Sequence, residues 1–526
     1  MPEPLNSGVR AEGRRSLPSV VRNVVSNWAG FACACVISFF LSPFVVRHLG
    51  NSAYGIWVLI GSLTGYLGLM NMGVRAGVTV YVARFHAEAN DKRASAAAST
   101  ALAIFLAAGT LAAALSIAAA ALIVRVFHIP EGFQFAARVV VILGGLNVAI
   151  SLISGVFGGI LAARQRFDSI NLIEIANGVL SALAIFFVLS AGKGLIALSV
   201  VNLSFAVAAG VAYAVAACRI YPALRVNPFE CDREHLRLIY SLSIYAFLVQ
   251  VSFNVIFYTD SIVIGRFLSV GLITYFAIAG NLMNYARALI SGISTTMTPR
   301  ASSLAAGGRR EDVKKLLMKA VSLATVVMLP IAVTFLLRGN SFIRLWMGRE
   351  YAGASGHVLW ILTLALLFIP ADQVATSTMG GLEEYRPVAL IIGCEALCNF
   401  ALSVALVRPL GIFGVAWGTT LPSIAVSLLF WPWYLRRALG IPVRKYVLAA
   451  WLRPAAAMIP FALLSFGVEK LWPAPNLPIY FLQIAAALPF AILPAWYVSF
   501  ERTDRETYSL KFVQPLFRTF RILGWN

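Results

Sequence analysis

Charged residues in this chain fall into short clusters separated by long stretches that hold almost none. From Leu41 to Arg75 the chain reads LSPFVVRHLGNSAYGIWVLIGSLTGYLGLMNMGVR. An apolar helix closes over Pro43 to Leu49, a polar corner follows at Gly50 to Ala53, and a second apolar run from Tyr54 meets no charge before Arg75. That run is 21 residues, about 31 Å of helix, which matches the hydrocarbon thickness of a bilayer. The pattern predicts two membrane crossings joined by a tight turn, with Tyr54 and Trp57 at one interface and Arg75 at the other. Comparable runs at about 22–46, 54–80, 96–124, 136–162, 170–190, 194–216, 239–264, 270–296, 315–338, 354–378, 386–407, 411–435, 446–468 and 478–500 predict about 14 helices.

The pattern returns at an offset of about 220 residues. Phe267 to Leu282, FLSVGLITYFAIAGNL, places Tyr275 where Tyr54 stands. Gly158-Gly159-Ile160-Leu161 is echoed by Gly380-Gly381-Leu382, Asn90 to Arg93 by Arg310 to Asp312, and Gly194 to Ala197 by Gly414 to Ala416. Six crossings separate the copies, so they share one orientation and form parallel repeats, a feature of many transporters. The expected fold is an all-α polytopic membrane protein of two six-helix lobes around a central cavity, with two further C-terminal helices. Its expected division is a tail at 1–21, one lobe at 22–216, a linker at 217–238, a second lobe at 239–435, two helices within 446–500, and a tail at 501–526.

Composition narrows the class. Hydrophobic residues make up 60% of 526 and charged residues 12%, and the mean hydropathy is +0.82; soluble domains are far less apolar. The net charge of +20 suits nucleic acid on its face, yet basic loops in a helical membrane protein follow from the positive-inside rule. About 28 Lys and Arg fall in loops and tails on one side and about 10 on the other, which places both termini in the cytoplasm. The basic loops Arg219 to Arg237, Arg300 to Lys315 and Arg436 to Lys445 then face anionic lipid headgroups rather than nucleic acid. Six cysteines without metal-ligand spacing predict neither zinc nor a disulfide framework. The five histidines sit in or beside predicted loops, leaving no imidazole for an intramembrane proton relay. Residues 1 to 21 are polar and basic without a cleavable signal, so the first helix is expected to act as an uncleaved anchor. No glycine-rich phosphate loop is present, which argues against direct use of ATP.

Three segments carry a resemblance. HLGNSAYGIW at 48–57, Thr259-Asp260-Ser261-Ile262-Val263-Ile264-Gly265, and GIFGVAWGTTLPS at 411–423 resemble the Wzx-type polysaccharide flippases of lipid-linked oligosaccharides. These are grouped with the lipid II flippases and MATE drug exporters in one superfamily of two six-helix lobes around a central cavity. The resemblance covers about the first twelve spans. It implies that the protein moves a polyprenyl-diphosphate-linked sugar from the inner to the outer leaflet of the cytoplasmic membrane by alternating access. The last two helices would then be additions outside the lobes, and polysaccharide polymerase or assembly proteins would be partners. No cofactor is expected beyond a possible coupling H⁺ or Na⁺.

A flippase forms no covalent bond, so the residues to seek are polar groups placed inside the bilayer. Fixed arginines suit a diphosphate, because a guanidinium stays charged and forks onto phosphate oxygens. Arg287 lies about 13 Å into its span, where an unpaired charge costs about 2.5–3.5 kcal/mol, so it should face either substrate or a carboxylate. Asn281, Asn284 and Tyr285 add polar surface beside it. Arg75 at the end of its span is open to snorkelling or to phosphate binding, the latter raised by the resemblance. Asn27, near Arg22 and Trp28, is a further substrate candidate. Asp260, expected near the outer face, is open to a pair with Arg266, an outward gate or a cation site. Glu395 is the deepest carboxylate, with Asp372 and Glu174 nearer the surface; each is open to a coupling or a structural role. Pro43, Pro299, Pro330, Pro370 and Pro422 are expected to kink or loosen helices.

The chain departs from lipid II flippases in lacking arginines within the first span, and from some MATE exporters in lacking an aspartate there. A cation-coupled drug exporter remains the second reading. A membrane glycosyltransferase or ligase comes third, because the longest loops span only about 20 residues and carry no evident catalytic set.

Overall fold

Long runs of Ala, Leu, Val and Ile carry no side chain able to answer backbone N–H and C=O groups. In a lipid setting the helix is the form that answers them within the segment. A computed structural model describes residues 17–71, 74–229 and 244–499, and every regular element among them is helical. Parts of the expected tails, the linker from residue 230 to 243, Cys231 and His235 lie outside the described residues, as does the side chain of Asn27.

Contacts divide the chain into two units, Met1–Ser243 and Ile244–Asn526. The first holds α1 (Leu17–Leu67), α2 (Val74–Ala87), α3 (Asp91–Val126), α4 (Gln134–Ala163), α5 (Phe167–Ser190) and α6 (Leu195–Ile220). The second begins with α7 (Ile244–Phe267), α8 (Val270–Thr295), α9 (Met297–Ala306), α10 (Arg310–Trp346), α11 (Arg349–Leu366), α12 (Ile369–Gly381) and α13 (Tyr385–Leu410). It continues through α14 (Ile412–Ala425), a π-helical turn (Val426–Phe430) and α15 (Trp431–Leu439). A last group comprises α16 (Val443–Val447), a π-helical turn (Leu448–Leu452), α17 (Arg453–Ala457), α18 (Ile459–Leu471), α19 (Leu477–Ala487) and α20 (Pro489–Val498).

Ten stretches of the described residues are long and apolar enough to cross a membrane, or twelve when each of two bent pairs is taken as one span. This is a multi-pass membrane protein. The difference from 14 has physical causes. Cys33–Ala87 reads as one apolar stretch, although the backbone turns at Gly50, where φ is 75°. The 26-residue α8 is not among the ten, because Asn281, Asn284, Tyr285 and Arg287 dilute its apolar run. Arg349–Leu366 and Ile369–Gly381 meet at 45°, with Pro370 opening the second helix.

The second predicted crossing needs correction. It does not end at Arg75. The helix breaks at a 3₁₀ turn over Gly68–Asn71 and resumes as α2, which continues 12 residues past Arg75, about 18 Å. Arg75 therefore lies in the first turn of α2 rather than at the end of a helix. His357 likewise lies within α11, not in a loop, with Nδ1 2.8 Å from the Gly353 carbonyl.

The glycine echo has a shared packing role. In the first unit a Cβ on Gly159 would stand 3.0 Å from Val78 Cγ1 and 3.2 Å from the Arg75 carbonyl, and Thr79 Oγ1 donates to the Gly159 carbonyl at 3.4 Å. In the second unit a Cβ on Gly381 would stand 2.9 Å from Ala301 Cβ and 3.2 Å from the Ser302 nitrogen, and Thr298 Oγ1 donates to the Ser377 carbonyl at 2.9 Å. Each unit thus seats a short helix, α2 or α9, on the glycine-bearing end of a neighbour.

Polar clamps fix the helix ends. Tyr221 closes α6 by donating its hydroxyl to Asp91 at the start of α3. Its oxygen lies 3.3 Å from His86 Nδ1 on α2, and its ring lies 5.1 Å from the Arg164 guanidinium after α4. Burial and the Asp91 hydrogen bond push the phenol up to about 12, so it stays a donor at neutral pH. In the second unit, Arg338 of α10 is 2% exposed. It donates to Glu469 Oε2 of α18 at 2.8 Å and to Gln483 Oε1 of α19 at 2.5 Å, and it packs 4.6 Å from the Tyr480 ring. Ser341 also donates to Glu469.

These contacts predict contrasting glycine substitutions. Gly381→Ala should lower the melting temperature of the detergent-solubilised protein, since overpacking costs about 1–3 kcal/mol. Gly353→Ala, on an exposed helix face with open space around its Cβ, should leave melting unchanged or raise it by up to about 1 kcal/mol of helix propensity. Equal melting of wild type and Gly381→Ala would mean that α9 and α12 do not touch there.

Candidate functional site

The helix from Ile412 to Leu439 carries a row of hydroxyls at Thr419, Ser423 and Ser427 within an otherwise largely apolar stretch that meets no charge before Arg436. A spacing of four puts them on one face. Each meets a carboxyl from a different helix. Thr419 Oγ1 donates to Asp260 Oδ2 of α7 at 2.8 Å. Ser423 faces Glu395 of α13. Ser427 donates to Asp372 of α12. The hydroxyls also bond back along their own helix, Thr419 to the Val415 carbonyl at 3.2 Å and Ser427 to the Ser423 carbonyl at 2.8 Å.

Arg287 of α8 stands in the field of two of these carboxyls, Asp260 and Glu395. Its guanidinium lies 5.2 Å from the Phe257 ring, and its Nε is buried with no hydrogen-bond acceptor. Asp260 Oδ1, Asp372 Oδ1 and Gln373 Oε1 are likewise buried without a donor. The Tyr446 hydroxyl, from α16, is also buried and unpartnered, and it lies in the field of Asp372. Two carboxyls thus stand in the field of one guanidinium in an apolar bundle, and Asp372 lies in the field of Glu395 without a cation of its own among the described residues. Among the described residues no three Asp, Glu, His or Cys side chains converge closely enough to hold a metal ion.

The first unit holds a smaller polar group. Arg75 is exposed and lies on a shelf of α4 that lacks side chains: a Cβ on Gly158 would stand 3.2 Å from Arg75 Nη2, and one on Gly155 3.9 Å from its Cδ. Tyr213 of α6 donates to Glu174 Oε1 of α5 at 3.2 Å and feels the charge of Arg75. A separate pocket of about 200 Å³ is lined by Trp57, Thr64, Asn147 and Asn202 among others, an aromatic face with amide groups.

The profile of a family described as polysaccharide biosynthesis protein matches residues 44–356, more than half of the chain. The chain belongs to this family. A putative O-antigen transporter of Shigella flexneri is 19% identical over 419 residues, covering 80% of this chain and 98% of that protein. A probable flippase, AglR, of Haloferax volcanii is 23% identical over 390 residues, covering 74% and 78%. Among solved structures, the lipid II flippase MurJ in an inward closed conformation aligns over 94% of this chain and 100% of its own, with a TM-score of 0.67 at 13% identity. A MATE-family multidrug transporter, inward-facing, aligns over 79% and 95%, with a TM-score of 0.68 at 15% identity. The polysaccharide biosynthesis chain therefore has a MATE- and MurJ-like fold.

Several candidate residues of this family member converge and others stand apart. Arg287, Asp260, Glu395 and Asp372 form one cluster. Asp260 does not pair with Arg266: it is 5% exposed and bonded to Thr419, whereas Arg266 is exposed, 5.7 Å from the Phe267 ring. Six residues of helix place the two side chains about 120° apart. Asn284 is exposed and Asn281 half-buried, both within two turns of Arg287. Arg75 belongs to the first unit's separate group. Sequence reading missed the hydroxyl row, Tyr446 and Gln373; a four-residue hydroxyl spacing in an apolar span was the signal available.

The shared guanidinium predicts strong coupling. Arg287→Met should lower the melting temperature, because Asp260 and Glu395 lose the opposing charge in whose field they stand and are left uncompensated in an apolar place. Adding Glu395→Gln should restore part of the loss. Simple additivity of the two changes in thermal unfolding would show that Arg287 and Glu395 do not interact.

Proposed function

We propose that this protein translocates a polyprenyl-diphosphate-linked oligosaccharide across the cytoplasmic membrane by alternating access, as a step in making a cell-surface polysaccharide. The observation that carries this reading is Arg287, a guanidinium kept among helices of a polysaccharide biosynthesis protein by carboxyls on two other helices. Names of relatives point the same way, O-antigen transporter and flippase among them.

The chemistry is non-covalent. A diphosphate presents planar oxygen pairs that a guanidinium binds with two hydrogen bonds. Substrate at Arg287 displaces part of its pairing with Asp260 and Glu395, and the freed carboxyls then favour H⁺ or Na⁺. Binding of the diphosphate and of the cation are therefore linked, each favouring the other. Asp372, Ser427 and Tyr446 extend the acidic group by one further carboxyl. Arg75, exposed beside Gly155 and Gly158, is a second phosphate partner, and Trp57, Asn147 and Asn202 offer the stacking and amide contacts that sugars use. Asn281 and Asn284 serve the same role beside Arg287, with Asn27 a further candidate.

The same reading carries a six-plus-six division of spans with the last two appended, both termini in the cytoplasm, location in the cytoplasmic (inner) membrane, and polymerase or assembly proteins as partners that take up the product.

Proteoliposomes with a fluorescent polyprenyl-diphosphate oligosaccharide test this directly. Wild type should expose the label to an external quencher, and Arg287→Ala and Arg75→Ala should each slow exposure by about tenfold, the loss of about 1.4 kcal/mol. Flipping that survives both changes would overturn the site assignment. In the same vesicles an imposed pH or Na⁺ gradient should accelerate wild type, and Asp372→Asn should abolish that response. An equal gradient response in Asp372→Asn would remove the carboxyl from coupling.

A further inference from the structure

Helix α13 and the rod formed by α14 and α15 are closed at one end and open at the other. Near their corner at Gly411 they touch: a Cβ on Gly418 would stand 2.6 Å from the Ser403 nitrogen, and one on Gly414 3.0 Å from Leu406 Cβ. At the far end large side chains replace the glycines. Phe430, Trp433, Tyr434 and Arg437 follow at helical spacing from the π-helical turn Val426–Phe430, whose extra residue re-aims the face that follows it. Opposite them stands Leu390 of α13. The gap between is a groove of about 560 Å³, within the range of small-molecule sites.

The flank around the groove is open and apolar. Leu390 is 58% exposed, Leu397 69%, Leu429 73% and Trp433 54%. In a multi-pass protein such a flank faces lipid. The rim is different, because it carries one acid and one base. Tyr434 stacks on Phe430 with centroids 5.2 Å apart at 8° and donates to Glu384 Oε2 at 3.3 Å. The Arg437 guanidinium lies 5.9 Å from the Trp433 ring, and both Glu384 and Arg437 act on the Tyr434 hydroxyl. Among the described residues Arg437 has no ion pair. Arg436, Arg444 and Lys445 are exposed close by in sequence, as expected of a segment at the headgroup layer.

We propose that this groove is a binding site for a phospholipid with a zwitterionic ethanolamine headgroup, separate from the substrate site. The phosphate sits at Arg437, the ammonium at Glu384 with the Trp433 face beside it, and an acyl chain lies against Leu390 and Phe430. Charge complementarity selects this occupant. A glycerol headgroup satisfies Arg437 but offers Glu384 only neutral hydroxyls in place of an ammonium. A choline headgroup has no N–H to donate to Glu384.

Delipidated full-length protein in detergent, titrated with ethanolamine, choline and glycerol phospholipids of equal chains and read by native mass spectrometry, tests the site. Wild type should retain the ethanolamine lipid about threefold more strongly than the glycerol lipid, the scale of one exposed ion pair. Glu384→Gln should bring the two to parity, and Arg437→Gln should weaken both. Both side chains are exposed, so neither change removes packing. Leu390→Trp, which fills the groove and keeps the rim, should reduce retention of every lipid. Equal retention of the lipids by wild type, or an unchanged preference in Glu384→Gln, overturns the proposal. So does displacement of the bound lipid by a polyprenyl diphosphate, which would give the groove to the substrate's tail.

Discussion

One guanidinium shared by two carboxyls inside an apolar bundle sets the terms for the second unit. Removing charge from water costs several kcal/mol per ion unless geometry and hydrogen bonds repay it. Arg287 on α8 is answered by Asp260 on α7 and Glu395 on α13. Those carboxyls need donors of their own, which α14 supplies through Thr419 and Ser423, while Ser427 in the turn after it donates to Asp372 of α12. Four helices are thereby held in one register by polar contacts, while the surrounding Leu, Val and Ala contribute packing that any register could supply. Asp372 has a single hydroxyl donor and an unpartnered Oδ1. It is the carboxyl with most to gain from a proton or cation.

The rest of each unit isolates that polar work from rigid parts. Arg338, Glu469 and Gln483 attach α18 and α19 to α10 through a buried ion pair, so the appended helices are fixed to the second unit. In the first unit Tyr221 ties the ends of α2, α3, α4 and α6. Glycines bring α2 onto α4 and α9 onto α12 at van der Waals distance. Tight backbone approach of this kind suits membrane helices, where apolar lipid gives no hydrophobic drive to associate.

How much of this could be read from sequence depended on the range of the interaction. Helices were legible because an apolar run of about 20 residues has one stable form in lipid. The position of Arg287 well inside a helix was legible for the same reason. The break at Gly68–Asn71 was not, because a lone Asn71 beside glycines in an apolar run does not by itself announce a turn. Depth alone did not identify the partner of Asp260. Counting residues places it along the axis, whereas its burial comes from Thr419, 159 residues away. Arg338 fell at the edge of a predicted span and passed for a topology charge; its partners lie more than 130 residues further on. The hydroxyl row was visible as a spacing, but which carboxyl each would meet was a tertiary fact.

The two arginines that sequence alone singled out are unlike in a way that bears on how transport would proceed. Arg75 is exposed on a glycine shelf, and Glu174, which with Arg75 acts on the Tyr213 hydroxyl, is already hydrogen-bonded by it. A diphosphate can reach Arg75 without breaking an ion pair. Arg287 stands instead in the field of Asp260 and Glu395, and a diphosphate taking up its charge would leave theirs in an apolar place for a cation to cover. Under the proposed function, capture of substrate would belong with Arg75 and energetic coupling with Arg287. A bundle that interchanged them would bind the headgroup but would have no reason to exchange it for an ion.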